Sequence, residues 1–170
     1  KNTDPVDLDG DGDIDILATA LDENRSLAWY ENNGNGNFTE YIIYNAEYGS
    51  WKGIARDIDG DGDMDVLAVF NDGVSNDIDQ VIWFANDGNE NFQGHIITFT
   101  NSPMSIDAGD IDGDGDLDII SAEAGPGAFW YENAISCPAG YFDCSGECGG
   151  SDLTSCLDCN STMHGFAVID

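Results

Sequence analysis

Short apolar runs rich in β-branched and aromatic residues alternate along this chain with polar stretches of Asp, Asn and Gly, and the runs fall into recurring types. One type follows an acidic stretch: Ile16-Leu17-Ala18, Val66-Leu67-Ala68-Val69-Phe70 and Ile119-Ile120-Ser121-Ala122. A second carries a central Trp: Leu27–Asn32, Val81–Asn86 and Ala128–Asn133. Tyr41–Tyr44 and His95–Phe99 form a third type, and Gly53–Arg56 and Met104–Ala108 a fourth. Runs this short, bounded by Gly, Asn and Asp, predict strands joined by turns, and no stretch keeps a helical period.

The acidic stretches are near-copies of one another, Asp7–Asp15, Asp57–Asp65 and Asp110–Asp118, so the chain repeats with a period of about fifty residues. Four strands at that period are the mark of a propeller blade. The expected fold is all-β: three tandem four-stranded β-propeller-type blades, a partial or assembly-completed propeller, with a Cys-rich C-terminal appendage. The units fall at about 1–49, 50–101 and 102–134, followed by a Cys/Gly-rich spacer at 135–163 and a C-terminal strand at 164–170. Two gaps are expected. Unit one has only Lys1–Val6 before its acidic stretch and lacks an opening strand, as in a trimmed piece that begins inside a repeat, and unit three lacks a closing strand. Gly165–Asp170 resembles the missing opener, since it shares the Gly, apolar, Ala start of Gly53-Ile54-Ala55.

Each acidic stretch places Asp at relative positions 1, 3, 5 and 9 and Gly at position 6. Hard oxygen ligands at alternate positions around a Gly that permits a sharp turn suit Ca²⁺, which takes about six to eight oxygens. The candidate side-chain ligands are Asp7, Asp9, Asp11 and Asp15, then Asp57, Asp59, Asp61 and Asp65, then Asp110, Asp112, Asp114 and Asp118, with Asp13, Asp63 and Asp116 offering backbone carbonyls. About three Ca²⁺ per chain are expected. An EF-hand needs a Glu at position 12, but Ala18, Ala68 and Ser121 stand there on expected strands. A merely solvated acidic loop would concentrate uncompensated repulsion.

The Asp-x-Asp-Gly-Asp-Gly-Asp-x-Asp stretches, each followed by an apolar strand and then by a Trp strand ending in Asn, resemble the FG-GAP/VCBS repeats of integrin-like β-propellers over residues 4 to 133. The resemblance implies calcium-stabilised blades with each loop between a blade's first two strands; the family usually closes a ring with about seven such units. The stretch Cys144-Ser-Gly-Glu-Cys148-Gly-Gly is similar to spacers of large secreted bacterial surface proteins.

Charge narrows the partners. With 34 Asp and Glu against 4 Lys and Arg, the formal charge is −30, which repels nucleic acid and calls for cations. No run approaches the roughly 18 apolar residues of a membrane span. Cys137, Cys144, Cys148, Cys156 and Cys159 cluster in one stretch, as disulfides of an oxidising compartment or, with the same spacing, zinc ligands. Asn24, Asn37 and Asn160 begin glycosylation sequons. Trp29, Trp83 and Trp130 sit in repeated strands, where core packing is expected ahead of sugar stacking. His95 and His164 are isolated, and no nucleophile motif, His-containing triad or phosphate-cradling loop is present. A non-enzymatic, extracellular or cell-surface structural or adhesion module is expected, with a carbohydrate-binding (lectin-like) propeller or a non-catalytic segment of a larger secreted enzyme as alternatives. Expected partners are copies of itself, joined head to tail by strand exchange and extending into a filament, and also glycans or other cell-surface proteins.

Overall fold

The computed structural model describes residues 2–20, 27–46, 49–71, 79–125 and 127–133, together with a short strand at 167–168. Among these residues the regular structure is entirely β, in three four-stranded sheets. The first is β1 (Thr3–Val6), β2 (Asp15–Thr19), β3 (Leu27–Asn32) and β4 (Phe38–Tyr44), each antiparallel to the next. The second repeats that order with β5 (Ser50–Arg56), β6 (Asp65–Phe70), β7 (Asp79–Asn86) and β8 (Phe92–Thr100). The third has β9 (Pro103–Gly109), β10 (Asp118–Glu123), β11 (Ala128–Tyr131) and β12 (Ala167–Val168). The sheets are propeller-like blades, and they do not close into a barrel.

Two expectations about the ends are corrected. Unit one does have an opening strand: Thr3–Val6 pairs with β2 from Thr3↔Ala18 to Val6↔Asp15. Pro5 and two polar residues hide it from a hydrophobic-pattern search, but the turn through the acidic stretch returns the chain along this segment. Unit three is closed by the C-terminal segment, with Phe129↔Val168 and Trp130↔Ala167 as partners. Ala167–Val168 therefore takes the closing position of the third blade, and the opening position of the first is filled by β1. All five cysteines and the sequon residues Asn24 and Asn160 lie outside the described residues. Asn37 is exposed at the end of the β3–β4 turn, where its carbonyl accepts from the Asn33 N–H at 3.2 Å.

The core lies between the blades. Leu8, Leu17, Leu27 and Trp29 of the first blade meet Val66, Ala68, Phe70, Ile82 and Phe84 of the second. On the other side Ile58, Leu67, Val69, Val81 and Trp83 meet Ile106, Ile119 and Tyr131 of the third. Successive side chains of a strand point to opposite faces, so β6 sends Val66, Ala68 and Phe70 one way and Leu67 and Val69 the other, and the whole strand is buried. An all-apolar run where a half-buried strand would alternate is thus the trace of a blade covered on both sides. Polar contacts reinforce the first junction: the N–H groups of Gly53 and Ala55 donate to Asn2 Oδ1 and Asp4 Oδ2, both at 3.0 Å, and Arg56 pairs with Asp4 at 3.3 Å.

Leu67→Ala, which empties part of the second junction, is expected to destabilise the protein by about 2–5 kcal/mol. Ile96→Ala on the exposed β8 should stay within about 0.5 kcal/mol. Urea unfolding followed by Trp fluorescence checks both, and equal losses would contradict this location of the core.

Candidate metal centre

Each acidic stretch connects the first two strands of its blade, β1 to β2, β5 to β6 and β9 to β10. The reversal depends on Gly12, Gly62 and Gly115, whose φ values of 96°, 101° and 103° lie where L side chains are strained. Within the loop the carboxylates at the first, third and fifth positions fold back on the backbone. The Gly12 N–H donates to Asp7 Oδ2 at 3.1 Å, that of Asp11 to Asp9 Oδ1 at 3.1 Å and that of Asp13 to Asp11 Oδ1 at 2.8 Å. The second loop repeats all three bonds, through Gly62 to Asp57, Asp61 to Asp59 and Asp63 to Asp61.

The ninth position is different. Asp15, Asp65 and Asp118 are buried at the start of the second strand. Asp15 Oδ2 accepts from the Leu8 N–H at 2.9 Å and its Oδ1 from the Asn32 N–H at 2.7 Å. Asp65 does the same with Ile58 and Asn86, at 3.1 and 2.8 Å, and Asp118 with Ile111 and Asn133, at 2.9 and 3.0 Å. Each carboxylate thus clamps the loop's entrance to the far end of the Trp strand. The Asn side chain completes the clasp: Nδ2 of Asn32, Asn86 and Asn133 donates to the carbonyls of Ile14, Met64 and Leu117. Asn133 Nδ2 also reaches Ile58 O of the neighbouring blade's loop, at 2.8 Å.

Ligand oxygens converge in all three loops. Asp7, Asp9 and Asp15 form one group, Asp57, Asp59 and Asp61 a second, and Asp110, Asp112 and Asp118 a third, with the offered atoms of each within 4.8 Å of one another. Asp11, Asp65 and Asp114 stay in the loops but outside these threes. The Asp13 and Asp63 carboxylates turn away, against the β3–β4 and β7–β8 turns, where a Cβ on Gly34 or Gly88 would collide with them. Their carbonyls are the atoms left to serve a metal.

The groups fit a hard cation. Asp7 Oδ1 is buried and has no hydrogen-bond partner among the described residues, a cost that a bound cation removes. Burial, followed by the charges of Asp15, Asp11 and Asp7, raises the Asp9 carboxyl above its ordinary 3.8. Asp59 is raised by burial and by Asp65, Asp61 and Asp57, and Asp112 by burial and by Asp114 and Asp118. The charges acting on these three carboxyls all come from neighbouring Asp residues of the same loop. An all-carboxylate set favours Ca²⁺ or Mg²⁺ over soft-ligand metals.

Two features escaped the sequence reading. The strand-ending Asn was visible only as a motif letter, although its recurrence in phase was the signal for a structural role. Glu132 is the other: burial and the charges of Asp112 and Asp118 raise its carboxyl, which puts it beside the third loop. Trp29 and Trp83 are buried, so they are closed to sugar stacking. No helix among the described residues is long and apolar enough to cross a membrane, which says nothing of β-barrels.

The FG-GAP-like repeat family matches the chain twice, over residues 7–68 and 57–121, each match running from one acidic loop through the next. No curated protein matches it.

The clamp and the convergent groups separate by mutation. Asp65→Ala strips two amides of their acceptor and should destabilise by about 1–3 kcal/mol for each one left buried and unpaired, even in chelator. Asp61→Ala should matter mainly when a divalent cation is present, and thermal melts of both variants with and without cation check this. The pH dependence follows from the raised carboxyls. Asp9, Asp59 and Asp112 hold a proton more tightly folded than unfolded, so their stabilising contribution is full below the unfolded value of 3.8 and is lost as pH rises through the folded values. In chelator, stability should therefore decline from about pH 4 towards neutrality, and cation should remove most of the decline.

Proposed function

The chain belongs to the FG-GAP-like repeat family, and from that membership we propose a non-enzymatic, extracellular module whose blades are fixed by calcium and whose role is structural or adhesive. Repeats of this family are typical of extracellular proteins and are generally non-catalytic. The observation that carries the reading is the convergence of three carboxylates in each of three equivalent loops, with a buried oxygen of Asp7 left without a partner. Ca²⁺ suits such loops better than Mg²⁺, because it accepts many oxygens in flexible geometry and Mg²⁺ keeps much of its water. The ion would be held by the convergent Asp side chains and by the carbonyls of Asp13, Asp63 and Asp116, and it would supply the positive charge that a chain of −30 lacks.

Secretion agrees with that chemistry, since Ca²⁺ is abundant outside cells and weak, charge-rich sites fill there. In this reading the five cysteines form disulfides of an oxidising compartment, and the sequon at the exposed Asn37 is open to glycosylation. Its partners are other copies of the chain and further surface molecules, including glycans.

Native mass spectrometry in calcium should find about three ions per chain, and chelation should lower the melting temperature sharply, with recovery when calcium is restored. Asp61→Ala should reduce the ion count, whereas Asp107→Ala on the exposed part of β9 should not. A melting curve unchanged by excess chelator would overturn the calcium reading.

A further inference from the structure

The junction between blades occurs twice in this chain, so its two mating surfaces can be identified position by position. The donor surface comes from the second loop position and from one face of the second and third strands. It is Leu8, Leu17 and Trp29 at the first junction, and Ile58, Leu67 and Trp83 at the second. The register is common to both, with Leu17 opposite Trp29 and Leu67 opposite Trp83. The acceptor surface is the opposite face of the next blade: Val66, Ala68, Ile82 and Phe84 at the first junction, and Ile119, Phe129 and Tyr131 at the second, flanked by Met64 and Leu117 at the eighth loop position.

Both surfaces recur once more, at positions outside the two clusters between blades. The third blade carries the donor set as Ile111, Ile120 and Trp130, with Ile120 opposite Trp130 in the same register. Leu8 and Ile58 are 2% and 3% exposed, but Ile111 is 48% exposed, and Ile120 and Trp130 are only partly covered. The first blade carries the acceptor set as Ile16, Ala18, Ala28 and Tyr30, with Ile16 opposite Tyr30 and Ala18 opposite Ala28. Ala28 is 3% exposed and Ile16 and Ala18 are half-buried, but Ile42, opposite Ala28, is 42% exposed, and Ile14, the counterpart of Met64 and Leu117, is 55% exposed.

We infer that the third blade of one copy docks face to face on the first blade of a second copy, repeating the junction already made twice within the chain. This rests on the reading of the chain as an assembling module and supplies its surfaces. The occupant is a second copy because the complementary face lies on the same molecule, in register, and needs no foreign partner. The contact is heterologous, so it closes a ring or continues as a filament according to the rotation it imposes. Two copies would supply six blades, within the roughly four to eight of propeller rings. Backbone pairing between copies is not needed to complete either blade, because β1 already opens the first and β12 closes the third.

The test uses the full chain in calcium and two variants on strands away from the acidic loops. Ala122→Glu lies on the donor face of the third blade, and Ala18→Glu on the acceptor face of the first. Light scattering across a concentration series should show the unmodified chain as dimers or larger assemblies and each variant alone as a monomer. Mixing the two variants should give a one-to-one dimer, because one compatible junction survives, a result that no self-complementary contact can produce. Ile111→Ser and Ile14→Ser, at exposed positions, provide a milder pair, and circular dichroism with calcium-dependent melting confirms that every variant is folded. A monomeric unmodified chain, or variants that assemble as it does, would overturn the inference. If the chain is monomeric but still melts earlier in chelator, the interface fails and the calcium reading stands; if chelator has no effect on melting, the calcium reading fails independently.

Discussion

Each blade is anchored by a buried carboxylate that two backbone amides from distant segments share. Asp15, Asp65 and Asp118 join the entrance of the acidic loop to the last residue of the Trp strand. A hydrogen bond to an ionised acceptor is stronger than a neutral one, and a buried amide without an acceptor is expensive. The clamp therefore sets where the second strand begins, how far the third runs and which way the loop faces. It leaves the first and third loop positions to converge, and it holds the second, apolar position against the next blade. The convergence of carboxylates and the stacking of blades are consequences of the same nine-residue segment.

That segment also concentrates negative charge. Burial and mutual repulsion act in the same direction on Asp9, Asp59 and Asp112, and only backbone amides oppose them. Hydrogen bonds from amides can orient carboxylates but add no net positive charge, so the folded chain still gathers what the unfolded chain would disperse. The apolar junctions must hold against this repulsion. They do so best at the second blade, where both faces of β6 are covered, and less well at the first and third, where Ile14 and Ile111 are 55% and 48% exposed.

Most of this was legible because the repeat tested itself. A single Asp-rich loop is ambiguous, but three in phase, each followed by an apolar strand and a Trp strand, gave the strand order and the ligand candidates. What escaped detection lay where the pattern broke. Thr3–Val6 lacks apolar alternation and contains Pro5, so it becomes a strand through its neighbours and the return of the loop. Ala167–Val168 is far from β11 in sequence, and no local signal says which sheet it joins; likeness to Gly53-Ile54-Ala55 pointed to the wrong end. The ninth Asp read as a ligand, and Asp15 and Asp118 do converge with the other carboxylates, but its second part was hidden, because burial and amide bonding are properties of the fold that a letter in a motif does not reveal.

The first and third blades differ from the second in the side chains on their outer faces. A repeat protein that ends as a monomer needs terminal units with a polar outer face. Blade one moves some way in that direction: where the second blade has Ile82 and Phe84 it has Ala28 and Tyr30, and the Tyr30 hydroxyl donates to Glu40 at 2.7 Å. The substitution trims the apolar area without abolishing it, since Ile14 and Ile16 remain. Blade three retains Ile111, Ile120 and Trp130 and adds Asp107 on the exposed edge of the same sheet. Both faces thus mix apolar and charged side chains. A junction between copies at these faces would bring acidic blades together, so it would strengthen where cations screen the charge.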